Sequence, residues 1–393
     1  MKHIIYLLSV FFLMGCVNAS TFGMKEDVYQ RNLVSIKNKT IPFSMRYIHW
    51  EGNPTKVGTQ KASFIDKNPV LFKVLEDTLS LTGVKLGEPY KVRDNLKKYF
   101  PEILAEIQSF AKANIISEKK ALAIAGAYFY LGGCSIYINS SPFPFLTRNY
   151  DWAPTLVDGI ISSNESTKGR HSSIVISASI FGSLSGINQH GLAIAIAGIN
   201  SKKSFPDHGG ISMPIVVKGI LDKAKDVDSA IDLLKRLPHT TPCNYALIDK
   251  AGKMAVVEVA SKSIRVRRDS AQNKFLTATN HFQLISNQEE DIKIMPNSLR
   301  RQKSIEDFNR KSQNASIETV FNFMGNKEEG PAMSNYSTML GTVWTIVYIP
   351  EEKKMVIRIG LTGDQKSFSV GQKSGEPVNG NLIDIPPRLS DYL

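Results

Sequence analysis

Cysteine is scarce in this sequence: 393 residues carry three, Cys16, Cys134 and Cys243. A disulfide-stapled framework is excluded, and no two cysteines have the C-x-x-C spacing of a zinc or dithiol site. No HExxH segment and no Walker-type phosphate loop occurs, so no metal and no nucleotide cofactor is expected. No repeat of about 20–50 residues is visible, which argues against solenoids and propellers. Long apolar runs are missing as well, except at residues 4–14, which excludes a polytopic membrane protein.

What remains is a globular composition: 42% hydrophobic, 21% charged, 27 Gly and 18 Pro. The formal net charge of +12 favours anionic partners in general. The basic residues are scattered, however, and the densest group (Arg300, Arg301, Lys303, Arg310, Lys311) is interleaved with Glu306 and Asp307. No nucleic-acid recognition motif accompanies it, so a basic surface is expected rather than binding to DNA or RNA.

The N-terminus has the form of an export address. Lys2 and His3 precede the apolar residues 4–14, too short to span a bilayer but suited to a signal-peptide core. Leu13-Met14-Gly15-Cys16 resembles the bacterial lipobox, in which the cysteine is acylated and becomes the mature N-terminus. Val17-Asn18-Ala19 offers a competing cleavage site that would release a soluble protein from Ser20. Residues 1–19 are thus expected to be a signal segment. Cleavage before Cys16 is favoured because Gly-Cys directly follows the apolar core. Residue 17 is not Asp, which by resemblance sends an acylated form to an outer membrane; a periplasmic or secreted form is the alternative. Cys134 and Cys243 then remain, as one disulfide or as free thiols.

The rest divides into a leading helical segment, residues 20–133, and a catalytic body, residues 134–393. Residues 20–90 are mixed. From residue 94 to 131 the pattern is helical, with Pro101 in a first turn and Ser117 as a cap. The pattern ends in Gly132-Gly133 and changes to period two at residues 135–138 and 174–180. Residues 191–198 alternate small and large side chains, as in a strand with one crowded face. Helical stretches follow at 214–237 and 297–324. Two hairpins are expected, 245–248 with 254–259 and 342–349 with 355–360. Helices outside and sheets inside would accommodate this order.

The chemistry gathers at Cys134. Two antiparallel strands joined by a short turn would return Arg148 and Asp151 beside it. A guanidinium favours the thiolate, which is the nucleophile, and Asp151 can accept from an amine or fix the Arg. These residues resemble the cysteine branch of the N-terminal nucleophile hydrolases: isopenicillin-N acyltransferases, penicillin V acylases, choloylglycine hydrolases, acid ceramidase and N-acylethanolamine amidase. The Arg-x-x-Asp motif is matched by Arg148 and Asp151. The segment Gly-Leu-Ala-Ile-Ala-Ile-Ala-Gly-Ile-Asn resembles the family strand that ends at an oxyanion-hole Asn, here Asn200, after a strand two residues longer that keeps the same face. Thr279-Asn280 resembles the segment carrying the catalytic Asn, and Ser298-Leu299-Arg300-Arg301 the Ser-x-x-Arg, with Arg301 favoured and Arg300 the rival. The shared order of these motifs over residues 95–393 carries the resemblance.

The resemblance implies a four-layer αββα sandwich of antiparallel sheets and no cofactor. It also implies cleavage between Gly133 and Cys134, freeing an amine that serves as general base while the leading segment stays bound as a small subunit. Asn280 and Asn200 would donate to the oxyanion. The reaction would be hydrolysis of a linear amide in an N-acyl substrate: an acylated amino acid, a penicillin V-type amide, an acyl homoserine lactone, a conjugated bile acid or an N-acyl lipid. An acyltransferase of the same family and a non-enzymatic envelope lipoprotein are the alternatives. Cys243 and His281 read as packing residues. Metabolic labelling with a clickable fatty acid is expected to mark the full-length protein in a bacterial host and to leave Cys16→Ala unmarked.

Overall fold

A computed structural model describes residues 39–68, 86–113, 116–127, 133–157, 159–178, 180–201, 210–270, 274–312, 314–336 and 340–384. The expected signal segment with Cys16, and Gly132, lie outside the described residues.

Two sheets stack face to face. One has nine strands in the order β10 (Ile264–Arg268), β9 (Met254–Val259), β8 (Cys243–Ile248), β7 (Ala193–Gly198), β6 (Gly182–Asn188), β5 (Ser173–Ala178), β4 (Ile160–Asn164), β1 (Lys39–Trp50) and β16 (Val378–Asp384). The other runs β11 (Phe275–Ala278), β2 (Gly133–Asn139), β3 (Phe145–Trp152), β13 (Leu340–Ile349), β14 (Lys354–Ile359) and β15 (Gln365–Ser369), with β12 (Ser334–Asn335) beside β13. The ladders are antiparallel except that β1 pairs parallel with β4, a departure from wholly antiparallel sheets.

Alternation along β7 separates the layers. Ala193, Ala195 and Ala197 face the core between the sheets, against Ile136, Leu146, Trp344 and Ile346. Ile194 and Ile196 face outward, where, among the described residues, six helices cover the nine-stranded sheet. These are α1 (Pro54–Asp66), α2 (Pro89–Tyr99), α3 (Pro101–Lys112), α4 (Glu118–Ala125), α5 (Met213–Lys223) and α6 (Val227–Arg236). Helices α7 (Pro296–Lys311) and α8 (Ile317–Met324) cover the other sheet through Ile305, Val320 and Phe321 against Tyr137, Phe145 and Val347. The result is the four-layer αββα sandwich.

Two helical stretches expected to be continuous are each broken. Residues 214–237 divide where Asp226 caps α6 in a reciprocal box with Ser229. Residues 297–324 divide where Ser316 caps α8. The leading segment is not purely helical either, since β1 belongs to it and lies between β4 and β16.

A buried charge cluster ties that segment to the body. Lys61 of α1 donates to Glu106 of α3 and to the Ile180 carbonyl, both at 2.7 Å. The second Glu106 oxygen lies 3.6 Å from Arg170 and 3.8 Å from Lys218, which in turn pairs with Asp222 at 2.7 Å. Burial pushes the Glu106 carboxyl up, but Lys61, Lys218 and Arg170 outweigh it and hold it below the usual carboxylate range. Removing one partner of such a cluster strands the others in low dielectric. Glu106→Ala is therefore expected to lower stability by about 3–5 kcal/mol in denaturant titrations.

Candidate active site

The pairing of β2 with β3 builds the site. Gly133 lies opposite Asp151, Cys134 opposite Tyr150 and Ile136 opposite Arg148. Directly opposed residues share a face of the sheet, so Cys134, Tyr150 and Arg148 point into the core between the sheets. Gly133, Ser135 and Asp151 belong to the other face, beneath α7. The nucleophile candidate is thus served from two sides. On the inner side the Arg148 Nη2 donates to the Cys134 Sγ at 3.2 Å. Its guanidinium lies 4.9 Å from the Tyr150 ring centroid, and Tyr150 stacks on Trp344 at 4.5 Å. This aromatic stack fixes the cation against the sulfur.

On the outer side, Arg301 of α7 is fully buried and donates to the Cys134 carbonyl, to Ser135 Oγ at 3.0 Å and to Asn280 Oδ1 at 2.7 Å. It also lies 3.9 Å from Asp151. Burial pushes the Asp151 carboxyl up. The charge of Arg301, a hydrogen bond from Thr342 Oγ1 (2.6 Å) and the charge of Arg148 oppose that shift. Asp151 Oδ2 has no donor among the described residues.

Gly133 is glycine for lack of room. A Cβ at residue 133 would stand 2.8 Å from the Asp151 Cβ and 3.1 Å from Oδ2. Residue 133 is not among the positive-φ glycines, so close approach, rather than a left-handed backbone, accounts for the residue type.

Asn280 follows the end of β11. Its Oδ1 accepts from the Cys134 backbone N–H at 2.9 Å, and its Nδ2 donates to the Gly198 carbonyl at 2.8 Å. In the continuous chain its amide therefore grips the backbone of the nucleophile. Ser298 Oγ accepts from the Asn280 N–H at 3.0 Å and contacts the His281 ring at 2.9 Å. Burial, with the Arg301 charge adding to it, pulls the His281 pKa down.

Of the expected site residues, Cys134, Arg148, Asp151, Asn280 and Arg301 converge, with Gly133 beside them. Arg300 instead points to the Gly330 carbonyl. Asn200 lies two residues past β7 and is half-buried; none of the hydrogen bonds among the described residues joins it to the cluster. Thr342, Asn244 and Glu258 were not singled out from sequence. The signal was a polar residue within each apolar strand. Among the described residues no group of three or more His, Cys, Asp or Glu is placed to hold a metal ion.

Cys134 and Cys243 are both free thiols. Cys243 is fully buried, and burial pushes its thiol well up, with the Cys134 charge adding to the shift. In protein lacking the first 19 residues, Cys134→Ala is expected to show no thiol reactive toward a disulfide reagent at pH 8 until guanidinium unfolds it.

Residues 139–364 match the family model for acyl-coenzyme A:6-aminopenicillanic acid acyl-transferase. No curated protein matches in sequence. Several solved structures are similar at low identity, among them the following three. Penicillin V acylase from Agrobacterium tumefaciens is 16% identical over 63% of this chain and 90% of its own, with a TM-score of 0.40. A variant conjugated bile acid hydrolase from Clostridium perfringens is 13% identical over 63% and 96%, with a TM-score of 0.43. The Caenorhabditis elegans orthologue of N-acylethanolamine-hydrolyzing acid amidase is 15% identical over 56% and 93%, with a TM-score of 0.41. The sequence match alone spans more than half of the chain, and on that ground the protein belongs to the acyl-coenzyme A:6-aminopenicillanic acid acyl-transferase family.

Proposed function

We propose that the chain is an exported, self-cleaving cysteine amidase acting on the linear amide bond of an N-acyl substrate. The observation that carries this reading is the double grip on Cys134. Arg148 holds its sulfur at 3.2 Å and Asn280 its backbone nitrogen at 2.9 Å, directly after a glycine pressed against Asp151. In the first step the Cys134 sulfur attacks the Gly133 carbonyl carbon. The Gly133–Cys134 amide breaks, a thioester forms, and the nitrogen leaves as the Cys134 amine. Water then hydrolyses the thioester and frees the leading segment as a bound small subunit.

The new amine would lie beside Asp151 Oδ2, the acceptor that lacks a donor among the described residues. An α-amine has a pKa of about 7.7–8.0 and can serve as general base near neutral pH. It takes the thiol proton, the thiolate attacks the substrate carbonyl, and the leaving amine departs with that proton. Asn280 and Asn200 would donate to the oxyanion, Asn280 through the hydrogen of Nδ2 not engaged by Gly198. Water releases the acyl group. Transfer to an amine is the second reading, favoured by the family description. An exported enzyme lacks acyl-coenzyme A, so hydrolysis is preferred. The N-terminal pattern supports placement at the bacterial envelope, anchored through Cys16 or free in the periplasm.

Intact mass and N-terminal sequencing of the wild type beside Cys134→Ala test the first step. The wild type should give two fragments, the larger running from Cys134 to Leu393, and the variant one chain. A single chain from both would end the self-cleavage reading and favour a binding lipoprotein. With an N-acyl amide panel, Asn280→Ala should lower kcat by about 10²–10³-fold, the usual cost of one oxyanion donor. Adding an amine acceptor and looking for a new amide separates transfer from hydrolysis.

A further inference from the structure

Asn280 does the central work at Cys134 yet lies outside any strand, since β11 ends at Ala278. Its backbone has no ladder to hold it. Ser298 of α7 holds its N–H, and three side chains of the nine-stranded sheet bond the backbone on either side of it. Asn244 of β8 is fully buried, and its Nδ2 donates to the carbonyls of both neighbours of Asn280, Thr279 and His281, each at 3.0 Å. Its Oδ1 finds no donor among the described residues, so the two donated bonds hold the side chain. Asn244 is directly opposite Glu258 of β9, on the same face. Glu258, also fully buried, accepts from the N–H groups of Gln283 (2.9 Å), Leu284 (2.9 Å) and Ile285 (3.0 Å). It also accepts from Arg267 Nε at 2.9 Å, and Arg267 Nη2 donates to the Thr277 carbonyl at 2.7 Å.

We infer that Asn244 is a positioning residue of the reaction, setting Asn280 against the nitrogen of Cys134, while the Glu258–Arg267 pair fixes the chain on either side. Asn244 touches neither Cys134 nor the reacting bond; it acts through Asn280. A side chain bonded to both neighbours of a residue determines where that residue's own side chain starts. A misplacement of about 1 Å at a reacting group can cost about 10²-fold in rate. The inference rests on the amidase reading for its kinetic consequence but not for its geometric one.

The test compares Asn244→Ala with Asn188→Ala. Asn188 is a buried Asn of the same sheet that also donates to two backbone carbonyls, those of Leu221 and Ala224, away from the site. Asn244→Ala should lower kcat at least about tenfold with KM within about twofold. The acid limb of its pH–rate profile should move to lower pH, because the Cys134 amine loses an acceptor that favours its charged form. Its crystal structure should show Asn280 Oδ1 withdrawn from the Cys134 nitrogen. Asn188→Ala should lose stability without any of these changes. Asn244→Ser, which keeps one donor, should fall between and serves where the alanine variant does not fold. Unchanged kinetics, or an Asn280 that stays in place in the Asn244→Ala crystal, overturns the inference. A wild type inactive on every N-acyl amide defeats the amidase reading instead, and the crystal comparison still decides the positioning role.

Discussion

The register of β2 on β3 is the constraint on which the site depends. It places Asp151 against Gly133 and sends Arg148 to the same face as Cys134. A slip of one residue would turn every side chain of β2 to the opposite face. Cys134 would then leave the core between the sheets, and both the bond it accepts from Arg148 and the bond it donates to Asn280 would be lost. Packing enforces the register from both sides: Ile136 and Ile138 fill the inner core, and Tyr137 fills the outer one with Phe145 and Ile305. Ordinary hydrophobic burial thus aims a chemical group.

The same economy governs the second sheet. The small residues of β7 give the facing sheet room, and polar residues enter this layer where the apolar packing gives out, at Asn244 and Glu258. Neither can be replaced by a neutral apolar residue without stranding N–H or carbonyl groups of residues 277–285. The site is rigid because the backbone on which Asn280 rides is bonded at nearly every residue around it.

Much of this was legible in the chain. The Arg-x-x-Asp spacing, the two hairpins and the small-large alternation of residues 191–198 each have a local physical cause and appear in the structure where the pattern put them. Strand β1 was not legible. Ile41, Phe43, Met45 and Tyr47 do alternate, but Pro42 lacks a donor and argues against a ladder; only β16, more than 300 residues away, completes the pairing. The divided helices were missed because apolar periodicity continues across Asp226 and Ser316, where side-chain caps end the backbone pattern. Asn244 and Glu258 escaped for a related reason. A polar residue in an apolar strand declares its purpose only when its partners, far along the chain, are known.

The place of β1 has a consequence for the history of the molecule. Among the described strands β16 pairs within its sheet with β1 alone, and β1 joins the rest through β4. Within its sheet the last described strand is therefore joined to the body by a segment that precedes Gly133, while Val378 and Leu382 pack on the facing sheet. Were the chain cut there, as proposed, assembly of that edge would cease to be unimolecular. A denatured two-fragment molecule would have to find its partner by diffusion, so its recovery would depend on concentration, while β4 and β16 present bare edges to other chains in the meantime. The native form would then be reached once, before the cut, and preserved afterwards by the height of the unfolding barrier rather than by ready refolding.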